Sequence, residues 1–246
     1  MLLEVKDLTK QYAGGRGIKG LSLTVSEGEV VALLGPNGAG KTTAMKAMMG
    51  LVPMNSGTVL YKGTSVLESP HLTKGEIGMM VGDPAPYLHL TAVQYLRLHK
   101  NLYSNITEED IVEILKITGL SDRRNSRIKT FSTGMRQRIC LARILLLKPK
   151  LILLDEPFSG MDIEGRDQMV QLFRSIIEKY KAGFIISSHL IHDIEEITSK
   201  VCIITNGIYR GSRMVSDILA DYSGVEKYYL DTVSKMRVVE REGEIA

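Results

Sequence analysis

Residues 30–43 read Val-Val-Ala-Leu-Leu-Gly-Pro-Asn-Gly-Ala-Gly-Lys-Thr-Thr. The apolar run predicts a strand buried on both faces, and the periodicity after the turn predicts a helix over 41–50. The turn matches the pattern G-x-x-x-x-G-K-[ST], in which successive backbone N–H groups of a curled loop point at phosphate oxygens. The helix that follows presents its positive end to the same anion. This stretch therefore predicts a phosphate-binding loop in an α/β fold.

The predicted loop supplies both the nucleotide contacts and part of a metal site. Lys41 carries the cation for the β- and γ-phosphate oxygens, and the Thr42 hydroxyl can ligate Mg²⁺. A glycine turn with a surface lysine is the alternative, and the strand–loop–helix context disfavours it. We therefore expect ATP and Mg²⁺ as cofactors. The expected nucleotide-binding residues of the loop are Gly35, Pro36, Asn37, Gly38, Ala39, Gly40, Lys41, Thr42 and Thr43.

Two carboxylates stand where a second apolar run, residues 151–154, ends. The carboxyl ends of parallel strands line the ligand crevice of such sheets, so Asp155 is expected to face the Mg²⁺. Glu156 is expected to polarise the attacking water. Solvated acids in a strand-ending turn are the alternative, which the phosphate loop makes less favourable.

The rest of the chain predicts a P-loop core, made of a mixed, mainly parallel sheet with helices. Further buried strands are expected at 77–81, 184–187 and 201–205, an antiparallel flank at 2–6, 21–25 and 58–61, and helices at 168–180 and 192–198. A helical insert at about 83–148 interrupts the core, with helices predicted after Thr91 (to Tyr103), after Thr107 and over 135–147. We expect a nucleotide-binding domain over 1–220 and a short extension over 221–246.

Composition narrows the classes of partner. The chain has 246 residues and a net charge of +3, without a long basic run, which gives no indication of nucleic-acid binding. We found neither an apolar stretch long enough to span a bilayer nor a signal peptide at the N-terminus. Cys140 and Cys202 lie in apolar segments and are expected to be small buried residues. These features favour a cytosolic protein.

Residues 131–138, Phe-Ser-Thr-Gly-Met-Arg-Gln-Arg, lie between the two motifs. Ser-Thr-Gly before a helix is by itself only a good N-cap. Taken with the phosphate loop and the acidic strand end, the stretch resembles the signature motif of the ATP-binding-cassette (ABC) ATPases. Its sequence is similar to the variant found in bacitracin, lantibiotic and ABC-2-type exporters. The helix that Ser132 and Gly134 open can bind a phosphate at its N-terminus.

The resemblance assigns further residues. It implies that Tyr12 stacks on adenine, with a core or surface tyrosine as the alternative, and that His189 contacts the γ-phosphate. The family usually places a glutamine that approaches Mg²⁺ at the position of Gly82. Asp83, one residue later, is a candidate metal ligand in its place, directly or through water. The alternatives are a plain turn and a site where water completes the metal shell.

The resemblance also implies an assembly. Two such cassettes sandwich two ATP molecules, each phosphate loop facing the partner's 132–134 turn, so a second cassette is expected. A separate membrane permease is expected as well, holding the chain at the cytoplasmic face of the membrane. The implied function is ATP hydrolysis in a transporter, an exporter of peptide antibiotics or drugs. The alternatives are a soluble single-cassette ATPase and a nucleotide-dependent binding module with negligible turnover.

Overall fold

The computed structural model describes residues 1–68, 75–82, 85–103, 106–189, 191 and 194–243. Within them, the chain forms ten strands and seven α-helices. The strands are β1 (Leu3–Gln11), β2 (Gly17–Val25), β3 (Val30–Leu34), β4 (Ser56–Tyr61), β5 (Thr64–Ser65), β6 (Ile77–Met80), β7 (Leu151–Asp155), β8 (Gly183–Ser188), β9 (Lys200–Thr205) and β10 (Ile208–Met214). The helices are α1 (Lys41–Met48), α2 (Ala92–Lys100), α3 (Glu108–Ile117), α4 (Thr133–Leu145), α5 (Ile163–Tyr180), α6 (Val215–Asp221) and α7 (Val225–Gly243).

The strands form one mixed sheet in the order β5-β4-β1-β2-β10-β9-β3-β8-β7-β6. Its centre is parallel: β3 lies between β8 and β9, and β7 pairs with β8 and β6. Every residue of β3, β7 and β8 is buried, as expected for strands covered by helices on both faces. This register brings the carboxyl ends of β3, β7 and β8 together, and the predicted site residues follow these ends.

The flank of the sheet is antiparallel, as predicted. β1 pairs with β2 and β4, and β10 returns antiparallel to β9. β10 was not predicted, because only β9 carries the apolar run that marks a buried strand. A parallel pair between Ile208 and Lys19 joins β10 to β2, and so connects the flank to the parallel core. The predicted α/β fold with an antiparallel flank is confirmed.

Capping explains where the helices of the insert begin. Thr91 caps α2 with Gln94, and Thr107 caps α3 with Asp110, each in a reciprocal capping box. The pKa of Asp110 is lowered to about 2 by its hydrogen bonds with the Lys148 ammonium and the Thr107 backbone N–H. Both helix starts agree with the sequence prediction.

Some boundaries differ from the prediction. The helix expected to reach Tyr103 ends at Lys100; in the turn that follows, Leu102 is 72% exposed and Tyr103 packs against the core. A helix was also predicted over 192–198. Its first two residues lie outside the described part of the chain, and within 194–198 the structure has only the short 3-10 turn Glu195–Ile197. A stretch with only three periodically spaced apolar residues is too short to specify a helix.

The cysteines and the last helices complete the core. Both cysteines are free and buried, as predicted, and burial raises the pKa of the Cys202 thiol to about 12.

Val225, the first residue of α7, is buried in the core, and Tyr228 and Tyr229 pack against the core. Of the helices in the described residues, none combines the length and apolar character needed to cross a membrane.

Candidate nucleotide-binding site

The loop between β3 and α1 curls tightly, and two of its glycines are required by close backbone contacts. A Cβ atom on Gly35 would lie 2.1 Å from the carbonyl oxygen of Ile204. A Cβ atom on Gly40, whose φ is +106°, would lie 2.2 Å from the carbonyl oxygen of Gly17. Side chains at these positions would push the loop away from β9 and from the start of β2. Because these two residues lack a Cβ atom, the loop can lie against β9 and β2 with the N-terminus of α1 facing the cavity.

Lys41 lies inside the loop and is 5% exposed. Its Nζ atom donates to the carbonyl oxygen of Gly35 at 2.6 Å and to that of Pro36 at 3.2 Å. The same atom lies 3.0 Å from Glu156 Oε1. The ammonium group is thus held at the centre of the loop, where the phosphates of a nucleotide would lie.

The acidic strand end contacts the loop directly. The Thr42 hydroxyl donates to Asp155 Oδ2 at 2.7 Å, across 113 residues of sequence. A hydroxyl oxygen and a carboxylate oxygen at this distance form a donor set of the hard oxygen type that Mg²⁺ prefers. The residues therefore fit a magnesium ion, which would share its remaining coordination with phosphate oxygens and water.

Glu156 has a left-handed backbone, with φ +47°, which turns its side chain back towards the loop. Its Oε2 atom lies 2.7 Å from His189 Nδ1, so this nitrogen carries the proton that the carboxylate accepts. Its Oε1 atom is buried and accepts no well-directed hydrogen bond within the described residues, although the Lys41 charge is close. The carboxylate is thus hydrogen-bonded through Oε2 to His189, while Oε1 faces the Lys41 ammonium inside the loop.

Ser187 joins the two carboxylate-bearing residues. Its hydroxyl donates to Asp155 Oδ1 at 2.6 Å and accepts from the backbone N–H of Glu156 at 2.9 Å. The side chain is fully buried at the end of β8. This serine was not among the site residues expected from the sequence. A polar residue at the end of an apolar strand, two residues before His189, was the available signal.

The other end of the site is lined by Tyr12, which is 42% exposed. Tyr12 and Arg16 share with the loop residues, including Lys41 and Thr43, a cavity of about 290 Å³. The ammonium group of Lys10 lies 4.8 Å from the centre of the Tyr12 ring. An aromatic ring beside a phosphate-binding loop is the arrangement that a nucleotide base and its phosphates require.

The turn at residues 132–134, the signature turn, lies away from the phosphate loop. Ser132 caps α4 by accepting from the Met135 N–H, and the first N–H groups of a helix have no intrahelical partner. With Gly134, Met161 and Asp162, Ser132 lines an open hollow of about 650 Å³. Among the residues that the structure describes, none lines both this hollow and the cavity of the phosphate loop. One chain therefore does not bring 132–134 to its own phosphate loop.

Gly82 follows β6 with φ +74°, a conformation that favours glycine, and a Cβ atom there would meet nothing within 4 Å. No side chain reaches the metal position from here. Asp83, the predicted substitute ligand, lies outside the described residues. Its role stays a prediction.

A phosphate loop bonded to an acidic strand end defines the P-loop class of nucleotide-binding proteins. The model of the ABC transporter family matches residues 18–159, more than half of the chain, and the chain belongs to that family. It is an ATP-binding subunit of an ABC transporter and an ATPase.

Two relatives and a solved structure support this family assignment. The chain is 35% identical to an uncharacterised ABC transporter ATP-binding protein, YcbN of Bacillus subtilis, over 95% of this chain and 75% of that protein. It is 34% identical to the bacitracin transport ATP-binding protein BcrA of Bacillus licheniformis, over 84% of this chain and 67% of that one. A solved ATP-binding subunit of an ABC transporter superposes with a TM-score of 0.81, 28% identity, and 95% and 100% coverage of the two chains.

Proposed function

We propose that this chain hydrolyses Mg·ATP to drive an exporter of peptide antibiotics or drugs. The observation that carries the hydrolytic part is the joined set of Lys41, Thr42, Asp155 and Glu156. It combines a cation that can meet phosphates, a pair of oxygen donors for a metal, and a carboxylate whose Oε1 atom contacts the Lys41 ammonium. The export part is supported by the similarity to the bacitracin transport protein and by the sequence of 131–138.

The residues have distinct roles in this proposal. On nucleotide binding, the Lys41 ammonium exchanges its contact with Glu156 for β- and γ-phosphate oxygens. Glu156 Oε1 then accepts a hydrogen bond from the attacking water and orients it in line with the γ-phosphorus. His189 holds the other carboxylate oxygen and lies beside the γ-phosphate. A Mg²⁺ ion bound by Thr42 and Asp155 would neutralise charge on the phosphate oxygens.

A second cassette completes the site. The turn at 132–134 lines a hollow separate from the phosphate loop, so we propose that it contacts the nucleotide of a partner cassette. The helix N-terminus there would offer unpaired N–H groups to the γ-phosphate. Tyr12 would stack on the adenine of the chain's own nucleotide.

The membrane partner is also part of the proposal. A separate permease would carry the transport path, with the chain attached to it at the cytoplasmic face of the membrane. The surface around 83–90 is the expected contact, although residues 83 and 84 are outside the described part. No nucleic-acid partner is expected, and the division into 1–220 and 221–246 stays a prediction.

Steady-state phosphate release tests the hydrolytic proposal. The wild type should turn over Mg·ATP, and Glu156→Gln should lower kcat by about 100-fold or more, because the water loses its orienting carboxylate. ATP binding should persist in this variant, since the amide keeps the shape of the side chain. Equal, near-zero rates for the two proteins would defeat the enzyme claim. Co-purification with a membrane permease tests the transport claim separately.

A further inference from the structure

A second cation lies beside the nucleotide cavity. Arg16 belongs to the turn between β1 and β2 and lines the cavity with Tyr12 and Lys41. Arg16 is exposed. Among the described residues, none forms an ion pair or hydrogen bond with its guanidinium group. An arginine beside an anion site, without a carboxylate of its own, is free to bind an anion.

The backbone fixes the position of Arg16. The turn is closed by hydrogen bonds from Tyr12 N to Arg16 O at 2.8 Å and from Gly15 N to Tyr12 O at 3.1 Å. The next residue, Gly17, packs its carbonyl oxygen against Gly40, where a Cβ atom would come within 2.2 Å. Arg16 is therefore attached to the wall of the cavity between the aromatic ring and the start of α1.

The cavity lining carries two cationic side chains and one carboxylate. Lys41 and Arg16 are the two cationic residues, and Glu156 contributes the opposing negative charge. Lys41 lies deep in the loop, where it reaches the β- and γ-phosphates. Apart from Glu156, the remaining polar groups of the lining are uncharged: backbone N–H groups, hydroxyls and the Asn37 amide. A guanidinium group suits the phosphates nearer the base because its planar array of donors matches phosphate oxygens.

We propose that Arg16 binds the phosphate chain of the nucleotide on the side nearest the base. It acts as a second cation that raises affinity and takes no part in the chemical step. This inference rests on the proposed occupation of the cavity by ATP. It assigns Arg16 a binding role that neither the phosphate loop nor the acidic strand end contains.

The test compares Arg16→Ala with Lys19→Ala, which removes the same charge from an exposed β2 residue outside the cavity lining. Calorimetric titration with ADP should show about tenfold weaker binding for Arg16→Ala and a change within about twofold for Lys19→Ala. The KM for ATP should rise by the same factor as the ADP Kd, while kcat stays within about twofold. Arg16→Lys should lose only about threefold, because it keeps the charge without the planar donors.

Inorganic tripolyphosphate serves as a probe for the phosphate contact. Its affinity should fall in Arg16→Ala by the same factor as the affinity for ADP. An unchanged ADP affinity, or an equal loss in Lys19→Ala, would overturn the proposal. A loss for ADP without a loss for tripolyphosphate would also overturn it, because it would place the guanidinium on the base. Absence of ATP turnover in the wild type would count against the proposed function alone, since the ADP titration still decides the role of Arg16.

Discussion

The phosphate-loop site and the open hollow around Ser132 and Gly134, which we call the signature hollow, are built in opposite ways. Around the loop, the polar side chains bond to one another: Thr42 to Asp155, Asp155 to Ser187, and Glu156 to His189. In the signature hollow, Ser132 serves as a helix cap, and the helix N-terminus faces an open space of about 650 Å³. In our proposal the first region holds the charges for hydrolysis, and the second offers an anion-binding surface to a partner's nucleotide.

From this difference we infer that each region is half of a functional unit. The loop site is pre-organised, because its side chains are fixed by contacts that span 31 to 113 residues of sequence. The first turn of α4 carries no acidic residue, so its N-terminus can accept a phosphate, although Asp122, Asp162 and Glu164 also line the hollow. We infer that a second chain brings the two halves together.

The first test of this comparison concerns the internal bonding of the loop site. Ser187→Ala removes a fully buried hydroxyl and leaves Asp155 Oδ1 and the Glu156 N–H without this partner. We expect kcat to fall by about tenfold, and the free energy of unfolding to fall by about 1–3 kcal/mol. Phosphate release and urea unfolding measure the two effects.

Ser175→Ala is the matched control, because its hydroxyl bonds to the Leu172 carbonyl on α5, away from the site. It should leave kcat unchanged within about twofold. If Ser187→Ala also hydrolysed ATP at the wild-type rate, the loop site would not depend on its internal bonding. The contrast between the two regions would then lose its basis.

A smaller effect separates a functional cap from a structural one. Ser132 and Thr107 both cap helices of the insert, so replacing either with alanine should lower the free energy of unfolding by about 1 kcal/mol. The melting temperature should drop by about 2–4 °C in each case. Only Ser132→Ala should also lower kcat, by about threefold, because its hydroxyl faces the hollow that receives the partner's phosphate. Equal kcat values for the two variants would make Ser132 a cap and nothing more.

The sequence was sufficient for features that depend on local pattern. The phosphate loop, the acidic strand end and the caps at Thr91 and Thr107 each occupy a few consecutive residues, and the structure has all of them. The relation between the loop and Asp155 was also predictable, because parallel strands place their carboxyl ends at one edge of the sheet.

Contacts between distant segments were not predictable. The packing of Gly40 against Gly17 and of Gly35 against Ile204 depends on how β2 and β9 pass the loop. The bridge made by Ser187 depends on the register of β7 against β8. A serine or a glycine in these positions has no sequence pattern that distinguishes it from an ordinary turn residue.

The most direct test of a site shared between two chains is complementation of two inactive variants. Lys41→Ala disables the phosphate loop. Gly134→Asp places a carboxylate in the signature hollow, and it should fold, because the nearest atoms to a Cβ there are 3.9 Å away. Each variant alone should show less than about 1% of the wild-type rate of phosphate release.

Mixing the two variants in equal amounts decides the question. A mixed dimer contains one intact site, made from the loop of Gly134→Asp and the signature turn of Lys41→Ala. Random pairing makes half of the dimers mixed, so the account predicts recovery to about one quarter of the wild-type rate. A mixture that stays at the sum of the two separate rates would contradict the shared site.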